Sequence, residues 1–325
     1  MTADLPVAAG GLRLARDAEA LGMHSRFVTA RDSRQLIPVR RGAYLPREEL
    51  AKMSAVARYR ANALAAAAQR RRPIFAGFTA AVFWGLPVLD AIPNDIFLLA
   101  QSASGRRRNA VVEFSRRDAV EIVEHNGLIM TSLPDTLVDV ARTLPFAAAL
   151  CMVDAALHTP RFGAAVALCT RAELLSAFER RLPFSGSRRV RVVLERCSHL
   201  ADSPLETLSR VQLEDLGFPE PVLQLPVQLP RAGRIVWLDF AWPEYGVWGE
   251  ADGDGKYLGN AVSGGDTRPA AHIVVEEKKR ENAVRAATRW NCGRWDWREA
   301  RESALLRAIL REAGLPVTRR PWRTQ

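Results

Sequence analysis

An acidic residue stands inside an apolar run late in this 325-residue chain: Ile235-Val-Trp-Leu-Asp239-Phe-Ala-Trp242, closed by Pro243. Such a run reads as a half-buried strand, where a carboxylate is an unusual choice unless something other than bulk water satisfies it. The next run, Tyr245-Gly-Val-Trp-Gly-Glu250-Ala-Asp252, reads as a second strand that breaks at Gly253. Glu250 and Asp252 are two apart, so their side chains leave the same face of the pleat. Asp239 falls at the corresponding end of the neighbouring strand. Three carboxylates converging there repel one another unless a cation, a proton or solvent intervenes. Their hard oxygen donors suit Mg²⁺ or Mn²⁺. The competing reading is a turn, because Asp252-Gly253-Asp254-Gly255 has hairpin chemistry. Asp239, in mid-strand, weighs against it.

The flanks complete a pattern of helix, three strands and helix. Ser203-Pro-Leu-Glu206 has the form of a capping box, which by itself makes Glu206 structural. The helix it opens continues through Leu208, Val211, Gln212 and Leu216 to a stop at Gly217. A strand over 222–228 and a turn at 231–234 precede the Asp239 run. Leu-Asp239-Phe-Ala-Trp-Pro-Glu, then Glu250-Ala-Asp252-Gly and Lys256-Tyr257, resembles the PD-(D/E)xK superfamily. Within it the similarity is to bacterial domains akin to very-short-patch-repair endonucleases. Glu277-Lys278-Lys279-Arg280-Glu281 and Arg294-Trp295-Asp-Trp297 match the helix and the Arg-Trp strand that follow in those domains. The resemblance implies a restriction-endonuclease-like α/β domain and metal-dependent phosphodiester hydrolysis. Asp239 and Glu250 would hold the metal with Asp252, and Glu206 matches an accessory acidic position. One departure is plain: the lysine usual two residues after the second acid is Asp252 here, which leaves Lys256 or Lys278 to supply the cation.

The rest of the chain is basic. Lys and Arg number 46 against 36 Asp and Glu, a net charge of +10, and this points to a polyanionic partner. A weak helical stripe over 12–21, a second helix over 25–36 capped by Ser25, and a hairpin around Arg40-Arg41-Gly42 follow the order of a winged helix-turn-helix. In that arrangement the second helix, with Arg26, Arg31 and Arg34, enters the major groove of DNA. Arg40 and Arg41 on the wing meet phosphate or the minor groove. Read alone, that arginine pair is as well a solvated turn. Further basic clusters stand at Arg70-Arg71-Arg72 and Arg106-Arg107-Arg108, and Arg188-Arg189-Val-Arg191 reads as a solvated helix face. Asp135 and Asp139, one helical turn apart, read as a helix N-terminal charge and a partner for Arg142 rather than as a metal pair.

The wing, Thr79-Ala-Ala-Val-Phe-Trp84-Gly85-Leu86 and Thr131-Ser132-Leu-Pro-Asp135-Thr-Leu-Val-Asp139 together resemble the antitoxins of the AbiEi type over roughly residues 10–160. Those are winged-helix transcriptional repressors of type IV toxin–antitoxin systems. The expected fold is therefore multidomain α+β. A winged helix-turn-helix occupies 10–50, a mixed α+β middle domain 54–160 and a helical connector 161–200. The nuclease-like domain spans 201–300, and a closing helix and tail 301–325. The expected function is DNA binding joined to metal-dependent cleavage in defence or repair. The alternative is a non-catalytic repressor or antitoxin with a degenerate nuclease domain and a cognate toxin as partner. Four scattered cysteines, no leader-like segment at Met1–Gly10 and no apolar run of about 18–20 residues fit a cytoplasmic protein with no membrane partner. No G-x-S-x-G, P-loop or G-x-G-x-x-G motif directs the reading elsewhere.

Overall fold

The computed structural model describes residues 4–116, 119–229, 233–253 and 270–318, with the backbone alone over 270–277. The chain is mixed α+β and divides into two units. The first comprises Met1–Leu144 and Cys169–Leu194, the second Pro145–Leu168 and Glu195–Gln325. This division cuts across the expected one. Helix Phe146–Leu157, placed by sequence in the middle domain, belongs to the second unit, and helix Arg171–Arg181, placed in the connector, belongs to the first. No helix among the described residues is long and apolar enough to cross a membrane.

The first unit opens with helices Ala15–Ala20 and His24–Asp32, then strands Leu36–Arg40 and Ala43–Pro46. The two strands pair antiparallel around Gly42, whose φ of 73° is the left-handed conformation such a turn requires. Arg13–Leu14 adds a third strand beside Ala43–Pro46. Two expectations are corrected here. The second helix starts at His24 with no side-chain cap, so Ser25 lies inside it, and Leu36 opens a strand rather than closing the helix. Leu12, Leu14, Ala43, Leu45, Ala61 and Ala65 form one apolar cluster under the sheet; the last two come from helix Ala55–Ala67.

Further along, Ile96–Leu99 pairs parallel with Val111–Phe114, and Arg106–Arg108 pairs antiparallel with the latter. A hairpin of Ile122–His125 and Leu128–Thr131 turns at Asn126 and Gly127, both at positive φ. Helix Leu133–Thr143 is capped by Ser132 and docks on helix Arg171–Arg181 through buried charge. Asp135 is fully buried and accepts from the Glu121 N–H at 3.0 Å, Ser132 Oγ at 2.9 Å and Arg180 Nη2 at 2.6 Å. Asp139 accepts from Arg142 Nη2 at 2.9 Å and Arg181 Nη2 at 2.8 Å. The structural reading of this acid pair holds, and two arginines from the second helix join it.

The second unit is built on a four-stranded sheet. Its strands lie in the order Asn291–Trp295, Val247–Ala251, Arg234–Trp242 and Val222–Leu229. The last three form an antiparallel meander. Val247–Ala251 and Asn291–Trp295 run parallel, a connection that needs a crossover, and helix Ala270–Thr288 provides it. Leu229, Val236, Leu238, Ala241, Trp248 and Val284 fill the core between sheet and helix. Helix Pro204–Asp215 packs with Phe146–Leu157 around buried Asp154, which accepts from Thr207 Oγ1 at 2.9 Å and Arg210 Nη1 at 2.7 Å. Burial pushes the Asp154 carboxyl up to about 6, and Arg210 opposes the rise.

Removing one partner of a buried ion pair leaves uncompensated charge. Arg181→Met, which keeps much of the volume, is expected to lower stability by about 3 kcal/mol in urea denaturation. Arg142→Met, at a partly exposed position with Arg181 still in place, is expected to cost less.

Candidate functional site

Each acid of the site is placed by a different element. Glu206 sits in the first turn of helix Pro204–Asp215, whose N-cap Ser203 accepts from the Glu206 N–H at 3.2 Å. The Glu206 carboxylate in turn accepts from Ser203 Oγ at 2.8 Å and from the Asp202 N–H at 3.0 Å. The capping role read from sequence is therefore real, with the return bond falling one residue earlier than a standard box. It does not exhaust the side chain, because Glu206 Oε2 also accepts from Gln224 Nε2 at 3.0 Å.

Gln224 is the residue that sequence reasoning missed. Its amide nitrogen also reaches Asp239 Oδ1 at 3.3 Å, so one NH₂ group joins two carboxylates. Arg161 Nη2 donates to its carbonyl oxygen at 3.1 Å, which fixes the end of the amide that faces the acids. Arg161 is held in turn by the Trp237 ring, 4.7 Å from its guanidinium carbon, and by Asp202 at 3.9 Å. Gln224 lies within strand Val222–Leu229 yet has φ 50°. Leu225 pairs with Leu238 and Leu223 with Phe240, and the residue between them takes a left-handed conformation that costs a non-glycine residue about 1 kcal/mol or more. The available signal was a lone buried-type amide flanked by leucines in a strand facing Asp239.

The other Asp239 oxygen accepts from the Ala251 N–H at 3.1 Å. Glu250 is 3% exposed, and both its oxygens are taken: Oε1 by Arg280 Nη1 and Oε2 by Arg294 Nη2 at 2.7 Å. Arg280 also donates to the Trp237 carbonyl at 2.7 Å. Arg294 stands in register with Glu250 on the parallel strand and reaches Asp252 as well, Nε to Oδ2 at 3.1 Å. Gly249 makes room for this arrangement. A Cβ there would lie 2.4 Å from the Trp295 ring, whose Nε1 donates to Ser209 Oγ at 2.7 Å and ties the sheet to the Glu206 helix.

Glu206, Asp239 and Glu250 are thus brought together, and Asp252 stands at the edge, half exposed and paired with Arg294. Lys256 lies outside the described residues. Lys278 is exposed. Of the arginines expected on DNA, Arg26 is exposed on its helix and Arg31 is exposed beside Asp32 at 2.9 Å. Arg34 lies past the helix end at φ 56°. Arg41 is exposed. Arg40 is turned inward: its guanidinium donates to Asn62 Oδ1 at 2.6 Å and to the carbonyls of Asn109 and Ala110 at 3.1 and 3.3 Å.

Among the described residues no three carboxylate, imidazole or thiol side chains form a ready cation cage. The donor chemistry still fits a hard divalent ion. The acids offer only oxygen; Glu250 and Asp252 are paired with Arg280 and Arg294, while Glu206 and Asp239 are bridged by Gln224. A cation there would displace the Asp239 proton, and at Glu250 it would replace an arginine.

No family model and no solved structure matches the chain. It is 33% identical over 119 residues to uncharacterized proteins of two strains of Mycobacterium tuberculosis. The match covers 37% of this chain and 41% of the length of each relative.

Burial, then Glu206 and then Glu250, push the Asp239 carboxyl from its ordinary 3.8 up to about 7, against the Ala251 hydrogen bond and Arg280. The native state therefore holds this proton when the unfolded chain has lost it. The stability this group contributes is complete below about pH 4 and is lost as pH rises through about 7. A carbon-13 titration without divalent ions is expected to show the Asp239 carboxyl changing near pH 7. Glu206→Gln should move that midpoint down. An unmoved midpoint would leave burial and Glu250 as the causes.

Proposed function

We propose that this chain is a DNA-binding protein whose second unit carries a metal-dependent phosphodiesterase site of the restriction-endonuclease-like type. Asp239, Glu206 and Glu250 would hold Mg²⁺ or Mn²⁺. The observation that carries this reading is the buried amide of Gln224 bonded at once to Glu206 and Asp239. It holds two negative groups together against their repulsion, in a strained backbone of the kind that clusters at functional sites. The element order supports the reading too. An acid-bearing helix, a three-strand meander with Asp239 and Glu250 on adjacent strands, a crossover helix and a parallel strand carrying Arg294 follow the order the sequence resemblance implies.

A divalent ion at such a site supplies Lewis-acid charge to the scissile phosphate and lowers the pKa of a bound water. The chain's own residues do the rest. Asp239 and Glu206 bind and are oriented by Gln224, Arg280 holds Glu250, and Arg294 brings positive charge to the edge where Asp252 replaces the usual lysine. In the first unit, two short helices followed by a hairpin, with Arg26 and Arg41 exposed, support docking on DNA through a winged helix.

One observation favours a second reading. Both Glu250 oxygens are already bonded to arginine, and Asp252 adds a carboxylate where a cation is usual. A resting site of that kind suits a repressor or antitoxin that binds DNA, with a cognate toxin as its further partner, and does no chemistry.

Plasmid nicking with Mg²⁺ or Mn²⁺ separates the two. The enzymatic reading expects cleavage that is lost in Asp239→Ala and Glu250→Ala and reduced about 10–100-fold in Gln224→Leu, as for residues that orient metal ligands. If no DNA form is cut and calorimetry detects no Mn²⁺ binding, the binding-only reading stands.

A further inference from the structure

We propose that two arginine clusters of the first unit form one cleft that continues from the wing and holds the sugar–phosphate backbone of a nucleic acid. This rests on the DNA-binding reading above and deepens it. Arg70-Arg71-Arg72 ends helix Ala55–Ala67, and Arg106–Arg108 is an edge strand. Far apart in sequence, they meet across a hollow of about 540 Å³ lined by Arg70, Arg71, Arg72, Gln101 and Arg106. A second hollow of about 250 Å³ continues past Arg70 and Arg106 to Arg108 and Asn109.

The cleft is built rather than incidental. Glu113 stands at its floor between the clusters, 2.7 Å from Arg106 Nε and 3.6 Å from Arg70 Nε, and fixes both. Gln101 Nε2 donates to the carbonyls of Arg71 at 3.0 Å and Arg72 at 3.4 Å, holding a turn in which Arg72 takes φ 52°. One carboxylate therefore answers two arginines, while Arg71, Arg72 and Arg108 are exposed and meet no carboxylate among the described residues. Arg107, by contrast, is taken by Asp95 at 2.8 Å.

The wing runs into this cleft. Arg40 bonds the Asn109 and Ala110 carbonyls in the turn just after the edge strand, and Gln69 Nε2 donates to the Arg41 carbonyl at 2.6 Å. Arg40 is thus a strut, and it sets exposed Arg41 beside the second hollow. The result is a continuous cationic track from Arg41 through Arg108 and Arg106 to Arg71 and Arg72. A track of fixed positive charge with amide donors suits a phosphodiester chain. A bilayer surface would also call for apolar anchors, and none of the exposed large apolar residues falls within 69–116.

The test is anisotropy of a labelled random-sequence duplex titrated across salt concentrations. Arg71→Ala/Arg72→Ala is expected to weaken binding and flatten the log–log salt slope by about 1.8, that is about 0.9 per lost phosphate contact. Arg71→Lys/Arg72→Lys, which keeps the charge, should retain the slope. Glu113→Gln, which removes the carboxylate at the floor of the cleft, should tighten binding. Arg188→Ala/Arg191→Ala on the exposed helix face is the charge-matched control. An unchanged slope in the Arg71/Arg72 alanine variant, or an equal loss in the control, overturns the cleft and leaves the DNA-binding reading intact. No duplex binding by the unaltered protein overturns both.

Discussion

A buried carboxylate without a partner costs several kcal/mol, and Glu250 is buried at the centre of its sheet. Two guanidinium groups answer it from different directions, Arg280 from the crossover helix and Arg294 from the neighbouring strand. Both placements follow from one feature of topology. Because Val247–Ala251 and Asn291–Trp295 run parallel, Arg294 lies in register with Glu250, and a helix must lie between the two strands in sequence. Arg280 then bonds the Trp237 carbonyl on the Asp239 strand. Sheet order, crossover helix and acid site are therefore one constraint; a change of register at the parallel pair would take Arg294 from Glu250 and leave Arg280 alone to compensate it.

Arginine serves three physically distinct purposes in this chain, and its environment separates them. Arg181 is buried against Asp135 and Asp139 and fastens two helices together. Arg40 spends its donors on one side chain and two carbonyls, so it fixes geometry and leaves few N–H groups for a ligand. Arg71 and Arg72 keep their guanidinium groups at the surface. A net charge of +10 counts all three kinds alike. Only the third is available to a polyanion, which is why total charge says that such a partner is plausible and local partnering says where it would bind.

Periodicity and capping made much of the local structure legible. The helix after Ser203, the strands carrying Asp239 and Glu250, and the hairpin at Gly42 stand close to where alternation, cap and turn residues put them. The hairpin at Asn126-Gly127 carried an equally direct signal that went unread, because its strands are short and only partly apolar. The division into units was illegible for a different reason. Helices Phe146–Leu157 and Arg171–Arg181 have ordinary amphipathic or apolar patterns, and the partner each one takes is decided by long-range contacts such as Asp154 with Arg210 or Arg181 with Asp139. At the site, parity placed Glu250 and Asp252 on one face, and Arg294 does reach both. The occupation of Glu250 by arginine could not be foreseen, since spacing says nothing of which cations fold back onto an acid.

Gln224 shows what a site asks of its scaffold. A regular strand alternates its side chains, and strict alternation beside Asp239 would be cheaper in backbone energy than a left-handed residue. The irregular conformation persists because surrounding groups determine it: Leu223 and Leu225 remain paired to Phe240 and Leu238, and Arg161 anchors the carbonyl end of the amide. What the distortion gains is a donor between two carboxylates that crowd each other. An amide is neutral, so it eases that repulsion by dipole alone, and the Asp239 carboxyl, pushed up to about 7, relieves the rest by keeping its proton. Glu206 and Asp239 are thereby bridged by a neutral donor, whereas Glu250 is matched by two arginines. The unequal treatment of three neighbouring acids puts the amide-bridged pair, Glu206 and Asp239, on the side of the sheet where Gln224 and Arg161 converge.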